Sequence, residues 1–232
     1  MPYGYRVFTE AERPSQALLD HFAQVATPDL ADVMQHSNVV DGDIRPIYHP
    51  MARFVGPAVT VSLPDGAFNV LKMGMEMTQA GDVLVIAARG ALDYALLGGN
   101  VSKGLKRRGL AGVIIDGAAR DIDEIRTIEL PVYARGIHIN ASPKTGPGEV
   151  NVPVAFGHCV IFPGDIIVAD EEGIVAIPPT FAADILSRLT ELKGWHASVQ
   201  PALERGEVTN IAAIRKDLEA SGCEFIQRPY GR

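Results

Sequence analysis

The chain has 232 residues and a mass of 24.9 kDa, enough for one large domain or two small ones with a sizeable core. Apolar residues make up 47% and charged residues 21%, an ordinary balance for a globular protein that excludes general disorder. The net charge of −7 argues against a nucleic-acid or anionic-membrane surface, because both would need a basic face.

The cysteine content and the apolar runs predict the cellular compartment of the protein. Cys159 and Cys223 form no metal or redox motif, and two cysteines in a chain of this size form no disulfide framework. The N-terminal residues are too polar for a signal peptide, and no apolar run approaches the ~20 residues that span a bilayer. We therefore expect a soluble, cytoplasmic protein with neither a nucleic-acid nor a membrane partner.

Helix signals come first along the chain. Ser15 to Val25 has the pattern of a short amphipathic helix that follows a polar arm. Thr27, Pro28 and Asp29 predict a second helix, with Thr27 as the N-cap, proline at the first helical position and an acid in the first turn. Alternating β-branched residues then predict a strand over Phe54–Ser62.

The middle of the chain alternates between apolar strands and helices. A cap at Asp65 predicts a methionine-rich helix that ends near Gln79, and residues 141–153 are predicted to form a long loop rich in glycine and proline. The other predicted strands are Val83–Ala87, Gly112–Ile115, Pro131–Ala134, Cys159–Phe162, Ile166–Ala169 and Ile174–Ile177, and the other helices are Val101–Arg108, Asp121–Ile128, Phe181–Leu203 and Ile211–Ala220. This order predicts a mixed α/β fold of layered sheets and outer helices, with no linker that divides it into two domains.

The segment from Ala95 to Ser102 contains two consecutive glycines, Gly98 and Gly99, directly before a predicted helix. Such a helix start exposes backbone N–H groups and a partial positive charge, so it accepts a carboxylate or a phosphate. Glycine also allows the backbone to approach a ligand closely. The same residues are compatible with a plain loop in which Asn100 caps the helix, and the sequence leaves this alternative open.

A second segment, residues 114–124, runs from a buried strand into a short helix. Ligands of α/β proteins collect beyond the carboxyl ends of strands. Arg120 offers a planar fork that suits a carboxylate, while Asp121 and Glu124 share one helix face where their oxygens suit a hydrated Mg²⁺. The alternative is that Asp121, Asp123 and Glu124 only favour the helix N-terminus electrostatically, with Arg120 as a surface ion-pair partner.

Together the two segments predict a site for a substrate and a metal. A carboxylate would bind Arg120 and the helix N-terminus, and a divalent ion on Asp121 would polarise a 2-oxo group and stabilise an enolate. A phosphate-binding loop is not indicated. Gly99 and Gly104 have the first spacing of such a loop, but the lysine and the hydroxyl residue that should follow are missing.

The spacing of Gly99, twenty residues, Arg120-Asp121, two residues and Glu124 resembles the motif of the class II pyruvate aldolases. Further similar segments are Gly56–Val61, Gly81–Ile86, Val150–Val154 and Pro163–Asp170, and the resemblance spans about residues 25–180. These enzymes cleave 4-hydroxy-4-methyl-2-oxoglutarate and 4-carboxy-4-hydroxy-2-oxoadipate. They share the RraA-like fold with the regulator of ribonuclease E activity A.

The resemblance implies a single-domain α-β-β-α sandwich of the swivelling β/β/α type. Residues 26–180 would form the core, and residues 1–25 would form an N-terminal arm and helix. Residues 181–232 would form C-terminal helices that pack on a neighbouring subunit. The implied assembly is a homotrimer or a homohexamer.

The resemblance also implies roles for single residues. Arg120 and Asp121 would be catalytic, with Asp121 binding Mg²⁺ or Mn²⁺ directly and Arg120 binding the pyruvate moiety and stabilising the enolate. Glu124 would bind the metal through a water. The substrate would contact Gly98, Gly99, Asn100, Val101, Ser102 and Arg120, with its carboxylate on the amides near Val101 and Ser102. The implied reaction cleaves a 4-hydroxy-2-oxo polycarboxylate to pyruvate and a 2-oxo acid, with oxaloacetate decarboxylation as a related activity.

Two positions depart from the aldolase pattern. Asn100 stands where the aldolases carry an aspartate, and this loss of charge is expected to weaken proton transfer or to shift substrate choice. The aldolases also borrow an acid from the C-terminal helix of a neighbouring subunit, for which Glu191 is a candidate here. The alternative function is that of a non-catalytic protein that binds and regulates an endoribonuclease, since a fold does not determine a function.

Overall fold

The computed structural model describes residues 4–208, 210–229 and 231. Its strands are β1 (Tyr5–Val7), β2 (Arg45–Pro46), β3 (Phe54–Ser62), β4 (Val83–Leu97), β5 (Gly112–Ala119), β6 (Val132–Ile137), β7 (Gly148–Val150), β8 (Val154–Phe156), β9 (Cys159–Ile161), β10 (Ile166–Asp170) and β11 (Gly173–Ile177). Its α-helices are α1 (Gln16–Phe22), α2 (Thr27–Val33), α3 (Phe68–Glu76), α4 (Gly99–Arg107), α5 (Ile122–Ile128), α6 (Ala182–Glu204) and α7 (Ile211–Ala220). The chain divides into two compact units, one that ends at Leu189 and one that begins at Thr190.

The first unit is built on a sheet with the strand order β1-β7-β3-β4-β5-β6-β2. The central strands β3, β4, β5 and β6 run parallel, and α3, α4 and α5 connect them in turn. β10 extends the sheet as an antiparallel partner of β3 and pairs with β11, while β8 and β9 form a separate hairpin. The prediction of a mixed α/β fold is confirmed.

The end of β4 is positioned by a change of register. The first part of β4 and all of β5 are buried, which explains why their sequences are apolar except for Asp116 in β5. Beyond Ala87 the pairing of β4 with β5 shifts at three points, and Leu97 finally pairs with Ala119. The residues that follow β4 and the residues that follow β5 therefore start side by side at one edge of the sheet.

Several predicted boundaries are wrong. β4 does not end at Ala87 but continues to Leu97, and β5 continues past Ile115 to Ala119. The predicted loop at residues 141–153 contains β7, which pairs with β1 and β3 and so joins the main sheet. In each case pairing with a neighbouring strand extends regular structure into a segment that has little strand character of its own.

α3 begins without its predicted cap, Asp65. Its first residue is Phe68, and the amides of Phe68 and Asn69 donate to the carbonyls of Pro143 and Lys144 at 2.9 and 3.0 Å. A loop that is distant in sequence thus satisfies two of the first donors of the helix, and no local pattern reveals this. The contact also places the 141–147 loop beside α3.

Thr27 is not the N-cap of α2 but its first residue. Its hydroxyl and its amide donate to Oδ1 and Oδ2 of Asp170 at 2.6 and 3.0 Å. The amide of Glu172 and the guanidinium of Arg53 also donate to this buried carboxylate, each at 3.1 Å. Burial raises the pKa of Asp170, but these donors outweigh it and hold the pKa below its ordinary value.

We expect Asp170→Ala to lower the free energy of unfolding at neutral pH by about 2–4 kcal/mol, because it leaves buried donors unpaired. The lowered pKa means that this stabilisation is fully present above the unfolded-state pKa and is lost as the pH falls through the folded-state pKa. Urea unfolding should therefore separate wild type and variant widely at neutral pH and less in strong acid. As a control, Asp184→Ala removes an exposed ion pair with Arg188 and should cost less than about 1 kcal/mol. Equal stability of wild type and Asp170→Ala at neutral pH would contradict this account.

The second unit holds the C-terminal part of α6 and all of α7. α6 continues unbroken through Pro201, and Glu191 lies exposed on it. α7 has its predicted bounds, and no residue of this helix is buried. Within the described ranges, no helix is both long and apolar enough to cross a bilayer. Packing of this region on a neighbouring subunit stays a prediction.

Candidate active site

The two predicted segments meet at the carboxyl ends of β4 and β5. Because Leu97 pairs with Ala119, Gly98 and Arg120 leave the sheet as neighbours. The amide of Arg120 donates to the carbonyl of Leu97 at 2.9 Å, which fixes this junction. The edge of a parallel sheet thus brings together residues that are far apart in sequence.

α4 begins at Gly99, with Gly98 rather than Asn100 as its N-cap. The amide and the hydroxyl of Ser102 both donate to the Gly98 carbonyl at 3.0 Å, so the Ser102 amide is already used. The amides of Asn100 and Val101 have no acceptor among the residues described, as expected for the first turn of a helix. The free donors at this helix start are therefore those of Asn100 and Val101.

Asp121 caps α4 from the neighbouring segment. Its Oδ2 accepts a hydrogen bond from the Gly99 amide at 3.0 Å. A methyl group on Gly98 would lie 2.6 Å from this oxygen, so the close approach requires glycine there. Asp121 is the N-cap of α5 and has a φ of +59°, a left-handed conformation that aspartate tolerates better than most residues. This turn directs its carboxylate back to α4.

Glu124 lies against the same end of α4. A methyl group on Gly99 would lie 1.7 Å from Glu124 Oε2, so the carboxylate fills the space above this glycine. Glu124 Oε1 accepts a hydrogen bond from Nζ of Lys103, which lies one turn further along α4. The predicted pair Asp121 and Glu124 therefore flanks one helix start, with Lys103 as a partner that sequence analysis missed.

The Arg120 side chain is anchored and still accessible. Its Nη1 donates to the carbonyl of Ile139 at 3.2 Å, and its Nε lies 3.7 Å from Asp121 Oδ2. The side chain is 40% exposed, so its remaining donors can bind an anion. A guanidinium beside free helix amides forms a two-part anion site.

A cavity of about 240 Å³ opens at this junction. Of the predicted substrate contacts, Gly98, Asn100, Val101 and Arg120 line it, whereas Gly99 and Ser102 do not. Phe68, Ser142 and Lys144 also line the cavity, and sequence analysis missed all three. Ser142 and Lys144 lie in the glycine- and proline-rich loop, where no periodicity indicates the direction of a side chain. The cavity thus contains a second cation besides Arg120.

The residues present fit a divalent cation that keeps most of its water. Mg²⁺ is usually bound by one or two carboxylates and several waters, and Mn²⁺ also accepts oxygen ligands. Asp121 is 44% exposed, and its Oδ1 has no hydrogen-bond partner in the described part of the chain. No group of three or more His, Cys, Asp or Glu side chains within those residues could enclose a metal. Asp121, which lines the cavity and has an oxygen without a partner among these residues, is the candidate for a direct ligand of such a cation.

Known proteins resemble this chain over most of its length. A family model described as RraA-like, Aldolase/RraA, matches residues 27–176. A protein of Halalkalibacterium halodurans, provisionally named 4-hydroxy-4-methyl-2-oxoglutarate aldolase, is 34% identical over 208 residues. This alignment covers 88% of the chain and 97% of the relative.

Two solved structures share the fold. An uncharacterized protein from Pseudomonas syringae pv. tomato has a TM-score of 0.74 and 26% identity, over 89% of this chain and 97% of its own. RraAS2 from Streptomyces coelicolor, described as an unusual member of the RNase ES inhibitor RraA protein family, has a TM-score of 0.74 and 27% identity, over 82% of this chain and 99% of its own. With the family match over residues 27–176, these similarities show that the chain belongs to the RraA-like family.

Proposed function

We propose that this protein is a divalent-metal-dependent carbon–carbon lyase, a class II pyruvate aldolase. Its substrate is a 4-hydroxy-2-oxo polycarboxylate, which it cleaves to pyruvate and a second 2-oxo acid. The observation that carries the proposal is that Arg120, Asp121 and the free amides of α4 meet at one cavity. The provisional name of the Halalkalibacterium halodurans relative supports it.

The groups around the cavity match the acidic ends of such a substrate. The C1 carboxylate would accept hydrogen bonds from the amides of Asn100 and Val101, where the helix start favours negative charge. Arg120 lies beside these amides and would face the 2-oxo group. Lys144 lines the same cavity and would bind a further carboxylate, which favours a polycarboxylate over a simple 2-oxo acid.

Cleavage breaks the C3–C4 bond of the substrate. The 4-hydroxyl group loses its proton and becomes the carbonyl of the released 2-oxo acid, while the electron pair of the bond forms the enolate of pyruvate. Protonation at C3 then gives pyruvate, and Arg120 stabilises the negative enolate oxygen before that step. Mg²⁺ or Mn²⁺, bound directly by Asp121 and through a water by Glu124, would supply Lewis-acid polarisation of the 2-oxo group. Oxaloacetate decarboxylation passes through the same enolate and is proposed as a second activity.

The proposal is tested by pyruvate release from 4-hydroxy-4-methyl-2-oxoglutarate and from oxaloacetate, with Mg²⁺, with Mn²⁺ or with a chelator. We expect turnover with either metal, loss of turnover with the chelator and recovery when excess metal is added. Recovery distinguishes metal removal from damage to the protein. Turnover that the chelator leaves unchanged, or no turnover by the folded, metal-supplied protein on either substrate, would contradict the proposal.

A second candidate is a non-catalytic regulator of an endoribonuclease. The similarity to the Streptomyces coelicolor protein favours it. A protein that only binds a partner has no need of Arg120 and Asp121 against free helix amides, so this candidate ranks second. Capture of an endoribonuclease by wild type and by Asp121→Ala alike, without pyruvate release by wild type, would favour it over the aldolase.

We also propose that the protein is a cytoplasmic homo-oligomer, a trimer or a hexamer, that binds no nucleic acid. The second unit exposes several large apolar side chains, among them Trp195, Ile211 and Ile214, and this supports assembly, because a concentration of exposed apolar surface typically marks an interaction site. The net charge of −7 disfavours nucleic acid. In such an assembly Glu191 is the candidate for the acid that a neighbouring subunit supplies.

A further inference from the structure

We infer that Lys103 is a positioning residue of this site, which holds the Glu124 carboxylate in place at the start of α4. The inference rests on the proposed function, in which Glu124 contacts the metal through a water. Lys103 does not line the cavity, so its effect must pass through Glu124.

α4 holds the Glu124 carboxylate at both of its oxygens. Oε2 lies in the space left by Gly99, where an added methyl group would be 1.7 Å away. Oε1 accepts a hydrogen bond from Lys103 Nζ. Gly99 and Lys103 are four residues apart and therefore lie on one face of the helix. One helix thus supplies both the gap and the cation that fix this carboxylate.

Without Lys103, only packing above a glycine would hold the Glu124 side chain. It is 39% exposed, and Lys103 is its one side-chain partner among the described residues. A long side chain released in this way gains rotamer freedom. Loss of a group that orients the ligands or waters of a metal typically costs 10–100-fold in metal affinity or activity.

Charge alone predicts the opposite result. Lys103 is a cation that binds the carboxylate of Glu124, so its removal makes the site more negative. A more negative site attracts a divalent cation more strongly. A neutral variant therefore separates the two roles, because positioning predicts weaker metal binding and a purely electrostatic role predicts tighter binding.

The experiment measures Mn²⁺ binding to the full chain from the paramagnetic resonance signal of free Mn²⁺, and measures pyruvate release separately. Lys103→Met keeps the length of the side chain and removes its charge, and we expect Mn²⁺ affinity to fall about tenfold, with kcat reduced more than KM is raised. Lys103→Arg should stay within about threefold of wild type, since a guanidinium can still bind the carboxylate. Lys106→Met is the matched control, because Lys106 lies on the same helix and donates to the Glu129 carbonyl at 2.7 Å, away from the cavity.

A double-variant cycle with Glu124→Gln decides whether Lys103 acts through Glu124. If it does, Lys103→Met adds no further loss when Glu124 is already changed. Two results would overturn the inference and leave the proposed function intact. One is unchanged or tighter Mn²⁺ binding by Lys103→Met, and the other is a double variant whose loss of binding free energy equals the sum of the losses of the two single variants. Wild type that neither binds Mn²⁺ nor releases pyruvate would overturn the proposed function itself, so the two failures are distinguishable.

Discussion

Asp121→Asn is expected to reduce metal-dependent pyruvate release by at least about a thousandfold, which corresponds to about 4 kcal/mol of transition-state stabilisation. The exchange removes the negative charge that would bind the cation and preserves the size of the side chain. The asparagine oxygen can still accept the hydrogen bond from Gly99, and asparagine tolerates the φ of +59° at this position. The fold should therefore be preserved, and Mn²⁺ binding should be lost together with activity.

Two further variants isolate the charge effect. Asp121→Ala removes the hydrogen bond to Gly99 and places alanine at a positive φ, so it should also lower the free energy of unfolding by roughly 1–3 kcal/mol. Asp123→Asn removes a carboxylate that is 94% exposed and pairs with Arg126, and it should leave activity unchanged. If Asp121→Asn kept more than about a tenth of wild-type turnover, less than 1.4 kcal/mol would be lost and Asp121 could not be the metal ligand.

Gly99→Ala is expected to lower turnover by about a hundredfold, although it adds a single methyl group. That group would lie 1.7 Å from Oε2 and 2.2 Å from Cδ of Glu124, so the carboxylate has to leave its place. The obstructed atoms belong to the end of a flexible side chain, so the backbone of α4 need not move. Gly99→Ala thus displaces Glu124 without altering its chemistry, and thermal unfolding should stay close to that of wild type.

Gly104→Ala is the matched control for this prediction. Gly104 lies on the same helix, and an added methyl group there would meet no atom within 4 Å. It should raise stability by up to about 1 kcal/mol through helix propensity and leave turnover unchanged. Wild-type turnover by Gly99→Ala would show that the position of Glu124 does not matter.

The proximity of Gly98, Arg120 and Asp121 could be predicted from the sequence. The reason is general: the carboxyl ends of neighbouring parallel strands share one edge, and the two segments come after the predicted strands Val83–Ala87 and Gly112–Ile115. The structure shows them together, while their roles in binding and catalysis stay predictions. The donors at the start of α4 could be predicted only in part, because the N-cap is Gly98 rather than Asn100 and the Ser102 amide is already bonded.

The remaining features depend on contacts between distant segments. Lys144 reaches the cavity because its loop caps α3, and nothing near residue 144 indicates that contact. The predicted strand Val83–Ala87 is too short, because β4 only bends beyond Ala87 and continues to Leu97. Arg89 and Gly90 take positive φ values of 54° and 72°, after which pairing with β5 resumes.

The contacts that build the site join residues that are close together in the sequence. The bond from Gly99 to Asp121 closes a loop of 22 residues, and that from Lys103 to Glu124 closes one of 21, whereas Arg6 reaches Glu149 across 143 residues. Short loops cost little entropy to close, so these contacts can form early in folding, before the N-terminal arm is in place. A ligand bound at this cavity would therefore be linked to the folding of the stretch from β4 to β6: it would stabilise this stretch, and a change that loosens the stretch would weaken binding even far from the cavity.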